Sequence, residues 1–551
     1  MGMHSHTIGI TPPQPDGGMR SSVAALAAVA FALAACALHG ALTTRGIVAT
    51  PDQDAMRDMG FAQALLDGNW FGDPSYAGAI RYYPPLLPIL AAAAAALSGA
   101  RDLAAFWVAI GPWVNLAAPL AFFLMARRLL GGAGAGAVAC LVFVFWNGAA
   151  STSWLSGGYS PWFYGPGIAQ ILFFLAMLLI HARAAAGRLR DAALVGAAIG
   201  LTFLAHIIPA VILTVVATVA AGVAQGVRIR TVLWLAVVAA TQLAVMAPYL
   251  LPLLTTAEGV VNAAPAGFVA PALRLNSDAV AYLLLLNLPA AIAAALLWRL
   301  RGVPGSMDRL GMAMLLSWTG VCLAALARHY ACEAVRTPEG TVPAACSVFV
   351  LTIHHYHFYL QVAGACAIAY AAALLARRRG AREASPRGLR MPAAAALVCA
   401  AAAGLLLVRP SDRGLRAAAL DHPEGSAMDL AAYRWMMANT SRRDLFVTFL
   451  NEGGSPARHA VMTVLASGRE TAALPLLFSN PYVRWEERDA LRRRFLAAVE
   501  DESVPMPCAP DGRSVWLLLP VGAHVGSARA STAFSSQLHT ISKVSAPPCG
   551  D

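Results

Sequence analysis

Residues 52–87 read DQDAMRDMGFAQALLDGNWFGDPSYAGAIRYYPPLL. Two acids, Asp52 and Asp54, open the stretch, and Ala55 to Leu66 then spaces its apolar residues as an amphipathic helix does. Gly68-Asn69 reads as a turn, followed by Trp70-Phe71, Asp73-Pro74 and Arg81-Tyr82-Tyr83-Pro84-Pro85. On one side stands Ser21 to Leu42, an apolar run of about 22 residues, enough to cross a hydrocarbon core of roughly 30 Å. On the other stands a long hydrophobic remainder. A loop rich in acids, aromatic rings and arginine, held at a membrane surface, suits chemistry on a membrane-bound substrate.

The rest of the chain agrees with that setting. Of its 551 residues, 58% are hydrophobic and only 13% charged, and the mean hydropathy is +0.61. A soluble globule carries about a quarter charged residues, so most of this chain must be solvated by lipid. The expected fold is a polytopic α-helical membrane protein of about 11 transmembrane helices. After 21–42 the candidate spans are 104–126, 132–148, 168–184, 191–206, 207–225, 231–252, 278–298, 308–327, 355–377 and 391–408. A net charge of +11 would suit nucleic acid. Much of the arginine excess, however, falls in short connections between apolar runs: Arg127-Arg128, Arg183 to Arg190, Arg228 to Arg230, Arg299 to Arg301 and Arg377 to Arg390. That is the cytoplasmic bias of positive charge in membrane proteins, and no nucleic-acid partner is expected.

The first helix lacks a small-residue cleavage site and exceeds a signal-peptide core, so it reads as retained, with residues 1–20 a cytoplasmic tail. Residues 21–408 form a transmembrane domain carrying the external loop 43–103, and 409–551 an extracytoplasmic soluble domain. Alternating sides puts 149–167, 253–277 and 328–354 outside as well. Leu86 to Gly99 is apolar but short, Ala-rich and preceded by a proline pair; keeping it on the outer face leaves the arginine clusters inside. Beyond 409, Asp429–Thr440 and Glu486–Glu500 have helical spacing, while Leu445–Leu450 and Arg513–Val521 read as strands, which predicts a small α/β domain. Cys332 with Cys346, and Cys508 with Cys549, fall in segments assigned outside, where an oxidising compartment permits a disulfide in each pair.

Several residues in these outer segments have the chemistry of a site. Asp52 and Asp54 suit a general base and a ligand for a divalent cation such as Mg²⁺ or Mn²⁺, since a hydroxyl nucleophile needs a proton acceptor and a leaving phosphate needs its charge neutralised. The same pair also reads as a solvated turn or a helix cap. Arg81 suits two-pronged phosphate binding, or snorkels to lipid head groups. His354, His355 and His357, at the outer mouth of the span near 355, read as phosphate or acceptor contacts, as a metal site, or as an interfacial belt with Tyr356 and Tyr359. His206 lies between two short spans, as a site residue or as a helix-ending group bonded to backbone. Trp154, Tyr159, Trp162 and Tyr164, with Tyr82 and Tyr83, are candidates for sugar or lipid contact, and Arg274 is a second phosphate candidate.

The order acids, helix, Trp-Phe, Arg, Pro-Pro-Leu over 52–88 resembles the first external loop of the GT-C membrane glycosyltransferases. In that superfamily an acidic motif opens the loop, an A-x-x-L-L-x-G-type helix follows, and a Y-x-x-P-P-L-type segment returns to the membrane. Tyr433-Arg434-Trp435 with Asn439-Thr440 is similar to a W-x-x-x-N-T stretch of their C-terminal domains. The commoner acidic pair is absent here: Gln53 follows Asp52 and Ala55 follows Asp54. Counting back from Leu65-Leu66 favours Asp54 as the match, while the Asp-Gln pair, closer to the arabinofuranosyltransferases of the superfamily, favours Asp52.

The resemblance implies transfer of a hexose or pentose, with inversion, from a polyprenyl-phosphate donor to a glycan, lipid or protein acceptor outside the cytoplasm. Asp52 or Asp54 would be the base, at the outer face of a bacterial inner membrane. Two other readings remain open from sequence, a transporter or flippase of a lipid-linked saccharide and an inactive assembly factor of the same fold. Few charges lie within the spans and no internal repeat is evident, which disfavours the transporter.

Overall fold

The computed structural model describes residues 19–100, 102–147, 157–256, 287, 290–299, 307–335, 353–380, 410–420, 428–450, 454–474, 480, 483–509, 512–523 and 528–549. Trp154, Arg274, Cys346, the span 391–408, most of the tail 1–20 and the side chain of His354 lie outside them. Among the described residues seven helices are long and apolar enough to cross a membrane: Ser22–Thr44, Leu103–Leu130, Gly165–Ala186, Ile207–Gln225, Ile229–Thr256, Arg309–Cys332 and His355–Arg378. Shorter apolar helices cover Leu86–Ser98, Ala133–Asn147 and Ala290–Arg299. The chain is a multi-pass membrane protein. Leu86–Ser98, at 13 residues, is about 20 Å long and falls short of a hydrocarbon core of roughly 30 Å.

Two interruptions break the regular helices of the bundle. Leu103–Val114 and Ala117–Leu130 meet at Asn115-Leu116, just after Pro112, which has no N–H to give the preceding turn. The Tyr159 hydroxyl donates to the Pro112 carbonyl at 3.0 Å. Gly40 of the first helix makes room for that hydroxyl, since a Cβ there would stand 2.3 Å from it. The second interruption separates Leu189–Ala205 from Ile207–Gln225 at His206, whose backbone is extended at φ −164° and ψ 138°. Pro209 explains it: in a continuous helix its ring would collide with the carbonyl four residues back, at Ala205. Between the interruptions the bundle closes on Phe122, Phe143, Phe173 and Phe174, whose rings pack at 4.6 to 5.9 Å between centroids.

The C-terminal residues build a five-stranded sheet of order β2-β1-β3-β5-β4, from β1 (Leu445–Thr448), β2 (Glu470–Thr471), β3 (Val515–Pro520), β4 (Ala530–Ser535) and β5 (His539–Val544). β1 pairs in parallel with β2 and β3, while β5 pairs antiparallel with β3 and β4. Alternating side chains of β3 serve opposite faces: Val515, Leu517 and Leu519 pack with Phe495 and Val499 of the helix Trp485–Glu500. Trp516 and Leu518 pack with Met436 and Val464 of the helices Leu430–Asn439 and Gly454–Ser467. A Cys508–Cys549 disulfide, with Cα atoms 4.8 Å apart, ties the segment before β3 to the end of the chain.

This sheet is stitched to the acidic loop between the first two membrane helices. The Thr471 N–H donates to the Pro74 carbonyl and the Ala77 N–H to the Thr471 carbonyl, both at 2.9 Å, so the turn at residues 74–77 is bonded to the edge strand β2. The loop helix Gln53–Leu66 crosses Gly454–Ser467 at Gly60, where a Cβ would stand 1.9 Å from the Leu465 carbonyl oxygen. Gly468, at φ +65°, answers it: a Cβ there would stand 2.4 Å from the Gly60 oxygen. Arg469 then pairs with Asp67 at the end of the loop helix.

Candidate active site

Asp52 is the N-cap of the loop helix, extended at φ −97° and ψ 134°. Its Oδ1 accepts the N–H of Asp54 at 2.9 Å and of Ala55 at 3.1 Å, and its Oδ2 has no hydrogen-bond partner among the described residues. The residue is only 8% exposed. Burial, with the Asp54 charge adding to it, pushes the carboxyl up to about 7, against the pull of the two amides and Arg57. Asp54 faces outward, its side chain 41% exposed, and bonds Arg57 Nη1 at 2.8 Å.

Arg57 joins this acid to a third one. Its Nη2 and Nε reach Asp58 Oδ1 at 2.8 and 3.0 Å, and its guanidinium lies 3.8 Å from the Tyr83 ring centroid. Burial opposes the charge on Arg57, but Asp58 and Asp54 outweigh it and hold the guanidinium protonated. Asp58 is itself buried, which raises its carboxyl, and it sits against the start of the membrane helix Gly165–Arg183. A Cβ on Gly165 would stand 3.7 Å from Asp58 Oδ2 and 3.4 Å from the Ala205 oxygen, next to His206.

Arg81 stands out energetically. It is 3% exposed, its guanidinium lies 4.8 Å from the Phe61 ring centroid, and Nη2 reaches the Asn69 carbonyl at a long 3.5 Å. Nε and Nη1 have no hydrogen-bond partner among the described residues. Burial lowers it to about 10, with Asp73 and Asp58 opposing, so it remains a cation at neutral pH. A buried donor left unmade costs about 1–3 kcal/mol, more when charged. A cost of that kind persists where a ligand supplies the missing acceptor. Asp73 is equally buried, and burial pushes it up to about 6 despite the bond it accepts from the Ser75 N–H.

Beside this charged cluster lies a pocket bordered by Asn115, Ser160, Tyr164, Gln170, His206 and His355. The His206 and His355 rings are 4.0 Å apart between centroids. The walls come from both helix interruptions, from the segment leading into Gly165–Arg183 and from the start of Ile353–Gly380. Irregular backbone at membrane depth is tolerated where it lines a cavity.

The sequence candidates therefore divide. Tyr164, His206 and His355 line the pocket; Asp52, Asp54, Arg81 and Tyr83 belong to the charged cluster beside it. His206 also accepts the Ile208 N–H at 3.3 Å, the helix-ending role. Tyr159 is spent on Pro112, and Trp162 is buried with its carbonyl accepting from Asn115 Nδ2 at 2.6 Å. His357 meets the Tyr330 hydroxyl at 3.3 Å, and the Tyr82 carbonyl accepts from the Tyr249 hydroxyl. Arg57, Asp58, Asn115 and Gln170 do not stand out in the sequence. Asp54 and Asp58 are four apart on one helical face with Arg57 beside them, a pattern that also describes any solvated helix.

Asp52 and Asp54 do not make a joint cation site as arranged. Oδ1 of Asp52 is occupied by two amides, Asp54 is turned to Arg57, and among the described residues no group of three His, Cys, Asp or Glu side chains is placed to hold a metal. Mg²⁺ asks for near-octahedral oxygen coordination, which this donor set does not fit.

No family profile matches the sequence, and no curated protein matches it. The fold does have relatives among solved structures. The oligosaccharyltransferase AglB of Archaeoglobus fulgidus, solved with an inhibitory peptide and a dolichol-phosphate, superposes with a TM-score of 0.52 over 91% of this chain and 70% of its own, at 12% identity. ArnT of Cupriavidus metallidurans bound to undecaprenyl phosphate gives 0.51 over 95% and 98%, at 15% identity. Its apo form gives 0.50 over 96% and 100%, at 16% identity. The acidic loop helix, the helical bundle and the sheet stitched back onto the loop make up the fold that the chain shares with these structures.

Proposed function

We propose that this protein is a membrane glycosyltransferase that moves a sugar from a polyprenyl-phosphate donor to an extracytoplasmic glycan, lipid or protein acceptor, with inversion. The observation that carries the proposal is Arg81: a buried guanidinium with two nitrogens unpartnered among the described residues, on the same loop as a buried carboxyl raised to about 7. AglB and ArnT have each been solved with a lipid phosphate, which is the ligand such a cation would take.

Asp52 is the base in this reading. Its open Oδ2 takes the proton of the acceptor hydroxyl, the acceptor oxygen bonds to the anomeric carbon, and the bond from that carbon to the phosphate oxygen breaks. The leaving phosphate keeps the electron pair, and Arg81 receives its charge in two-pronged geometry. Arg57 keeps Asp54 and Asp58 in place around the base. The active site faces the periplasm or cell exterior of a bacterial plasma membrane, and residues 409–551 form an extracytoplasmic α/β domain that helps to bind or orient the acceptor. The full bundle is about 11 helices.

The test is transfer from a polyprenyl-phosphate sugar by purified protein carrying Asp52→Asn, Asp54→Asn or Arg81→Gln. Loss of transfer in Asp52→Asn and Arg81→Gln is expected. Undiminished transfer by both carboxylate variants would remove the base from the mechanism.

A further inference from the structure

The hairpin that carries Arg81 brings a carboxyl to the same face. The Asp73 N–H donates to the Ala79 carbonyl and the Arg81 N–H to the Phe71 carbonyl, both at 2.8 Å, and Gly72 stands opposite Ile80 in an antiparallel bridge. In that register Phe71 faces Arg81 and Asp73 faces Ala79, so Asp73 and Arg81 are diagonal neighbours on one face of the ribbon, a spacing of roughly 7–8 Å. Both are buried, at 2% and 3% exposure. Opposite charges so placed ordinarily close into an ion pair. Here they do not: among the described residues Asp73 Oδ2, the Ser75 hydroxyl and Arg81 Nε and Nη1 all lack a hydrogen-bond partner. Asp73 Oδ1 accepts the Ser75 N–H at 3.0 Å, and the neighbouring Asn480 amide is spent on the Ile80 carbonyl at 2.6 Å.

An unmet acceptor and unmet cationic donors on one buried face suit a ligand that brings both anionic oxygen and a proton. A phosphate does so: its anionic oxygens meet Arg81, and one oxygen shares a proton with Asp73 Oδ2. Without that proton the Asp73 carboxylate would repel the phosphate. Burial already raises Asp73 to about 6, against the pull of the Ser75 amide and Arg81, and an anion beside it raises it further. The other groups around it keep their charge near neutrality. Arginines stay cations, both Arg81 and Arg488, whose Nη1 donates to the Ala77 carbonyl at 2.8 Å, and burial holds Tyr76 and Tyr83 above the ordinary 10. Asp58 and Tyr249 act on Arg81, and Asp58 is itself bonded by Arg57.

We infer that Asp73 is the acid of the reaction, giving its proton to the leaving phosphate while Asp52 takes one from the acceptor. This role rests on the proposed donor site. The bond from the anomeric carbon to the phosphate oxygen breaks with its electron pair on that oxygen, and the Asp73 proton passes to the phosphate. The lipid phosphate leaves as a monoanion and Asp73 is left ionised. Solvent then returns a proton to Asp73 and removes one from Asp52, so protons and charge balance over the cycle. At saturating donor the bound phosphate keeps Asp73 protonated where Asp52 has lost its proton.

The test is binding of a short-chain polyprenyl phosphate methyl ester, a diester that does not itself titrate in this range, to protein in nanodiscs at pH 6, 7 and 8. In wild type and in Asp52→Asn the affinity should fall as pH rises, by up to about tenfold per unit, since the complex takes up one proton once Asp73 is ionised in the free protein. Asp73→Asn keeps the acceptor of the Ser75 turn and offers the phosphate an N–H. Its affinity should be level across the range and about tenfold above wild type at pH 8, while its kcat with a lipid-phosphate sugar falls about a hundredfold. A merely structural residue would not tighten binding and slow transfer together. Level affinity in wild type, an unchanged slope in Asp73→Asn, or a kcat within twofold of wild type overturns the acid role, and loss of binding in Arg81→Gln would still uphold the donor site. If Arg81→Gln binds the diester as wild type does, the donor-site reading fails and the acid role with it. Should Asp73→Asn bind at no pH, Asp73→Ser decides: level binding supports the acid, and no binding marks Asp73 as structural and overturns it.

Discussion

Asp52→Asn should make the protein more stable and inactive at once. The side chain of asparagine keeps the Oδ1 acceptor that caps the loop helix at Asp54 and Ala55, and Asn caps a helix about as well as Asp. What the variant loses is a buried charge. The carboxyl moves from an ordinary 3.8 to about 7 on folding, and at about 1.4 kcal/mol per pH unit its ionised form is disfavoured in the fold by about 4 kcal/mol at most. The sign comes from linkage. The folded state holds this proton more tightly than the open chain, so the group's contribution is intact below 3.8 and is lost as the pH rises toward 7. The stability gained by Asp52→Asn should therefore grow from pH 5 to a plateau above pH 7.5. Thermal unfolding in detergent across that range, run beside transfer from a lipid-phosphate sugar, measures both effects. In the wild type, transfer should rise with pH through about 7 as Asp52 deprotonates. Asp54→Asn removes the neighbouring charge, so its rising limb should move to lower pH with transfer retained. A variant Asp52→Asn that is destabilised at pH 8, or that still transfers sugar while Asp54→Asn does not, would refute the assignment.

Three further expectations come from the same geometry. Arg81→Lys should lower kcat/KM by about a hundredfold without restoring phosphate binding, because a single ammonium cannot replace the planar two-pronged donor; recovery to within twofold of wild type would speak against phosphate binding at Arg81. Gly60→Ala should cost about 1–3 kcal/mol or more through the collision with the Leu465 carbonyl, and unfolding midpoints equal to wild type would show that the helices part without strain. Cys549→Ser, which opens the Cys508 bridge, should cost about 2–5 kcal/mol of C-terminal stability, read as faster proteolysis of that region with unchanged migration of the membrane core.

The residue order of the loop is enough to point to the fold, because acids, turn, arginine and proline pair are local signals. The choice between Asp52 and Asp54 is not legible in sequence. It depends on which carboxylate caps the helix and which one turns outward, and spacing along the chain leaves both open. Arg57 and Asp58 are inconspicuous because an acid–arginine–acid run on a helix ordinarily faces solvent; only contact with Gly165 makes Asp58 a buried neighbour of the pocket. Asn115 and Gln170 look like isolated polar residues in apolar spans, and the helix breaks that place Asn115 and His206 on the pocket wall depend on Pro112 and Pro209. β1 and β3 are readable as apolar runs, whereas β2 is two residues long and β4 is mostly exposed, leaving no alternation to detect.

The contact between sheet and loop explains why the site needs the C-terminal residues at all. A 14-residue helix with one apolar face is marginal alone, and its carboxylates would wander by more than a hydrogen-bond length. Here the helix is fixed at three points: Gly60 against Leu465, Asp67 against Arg469, and residues 74–77 against β2. Asp58 adds a fourth on the membrane side, at Gly165. The desolvation that raises Asp52 is sustained by that clamp, since a loop free to lift would let water in and return the carboxyl toward its ordinary range. Loosening the clamp should therefore lower the pKa of Asp52 without touching it, so that the proposed base depends on packing made some 400 residues later in the chain.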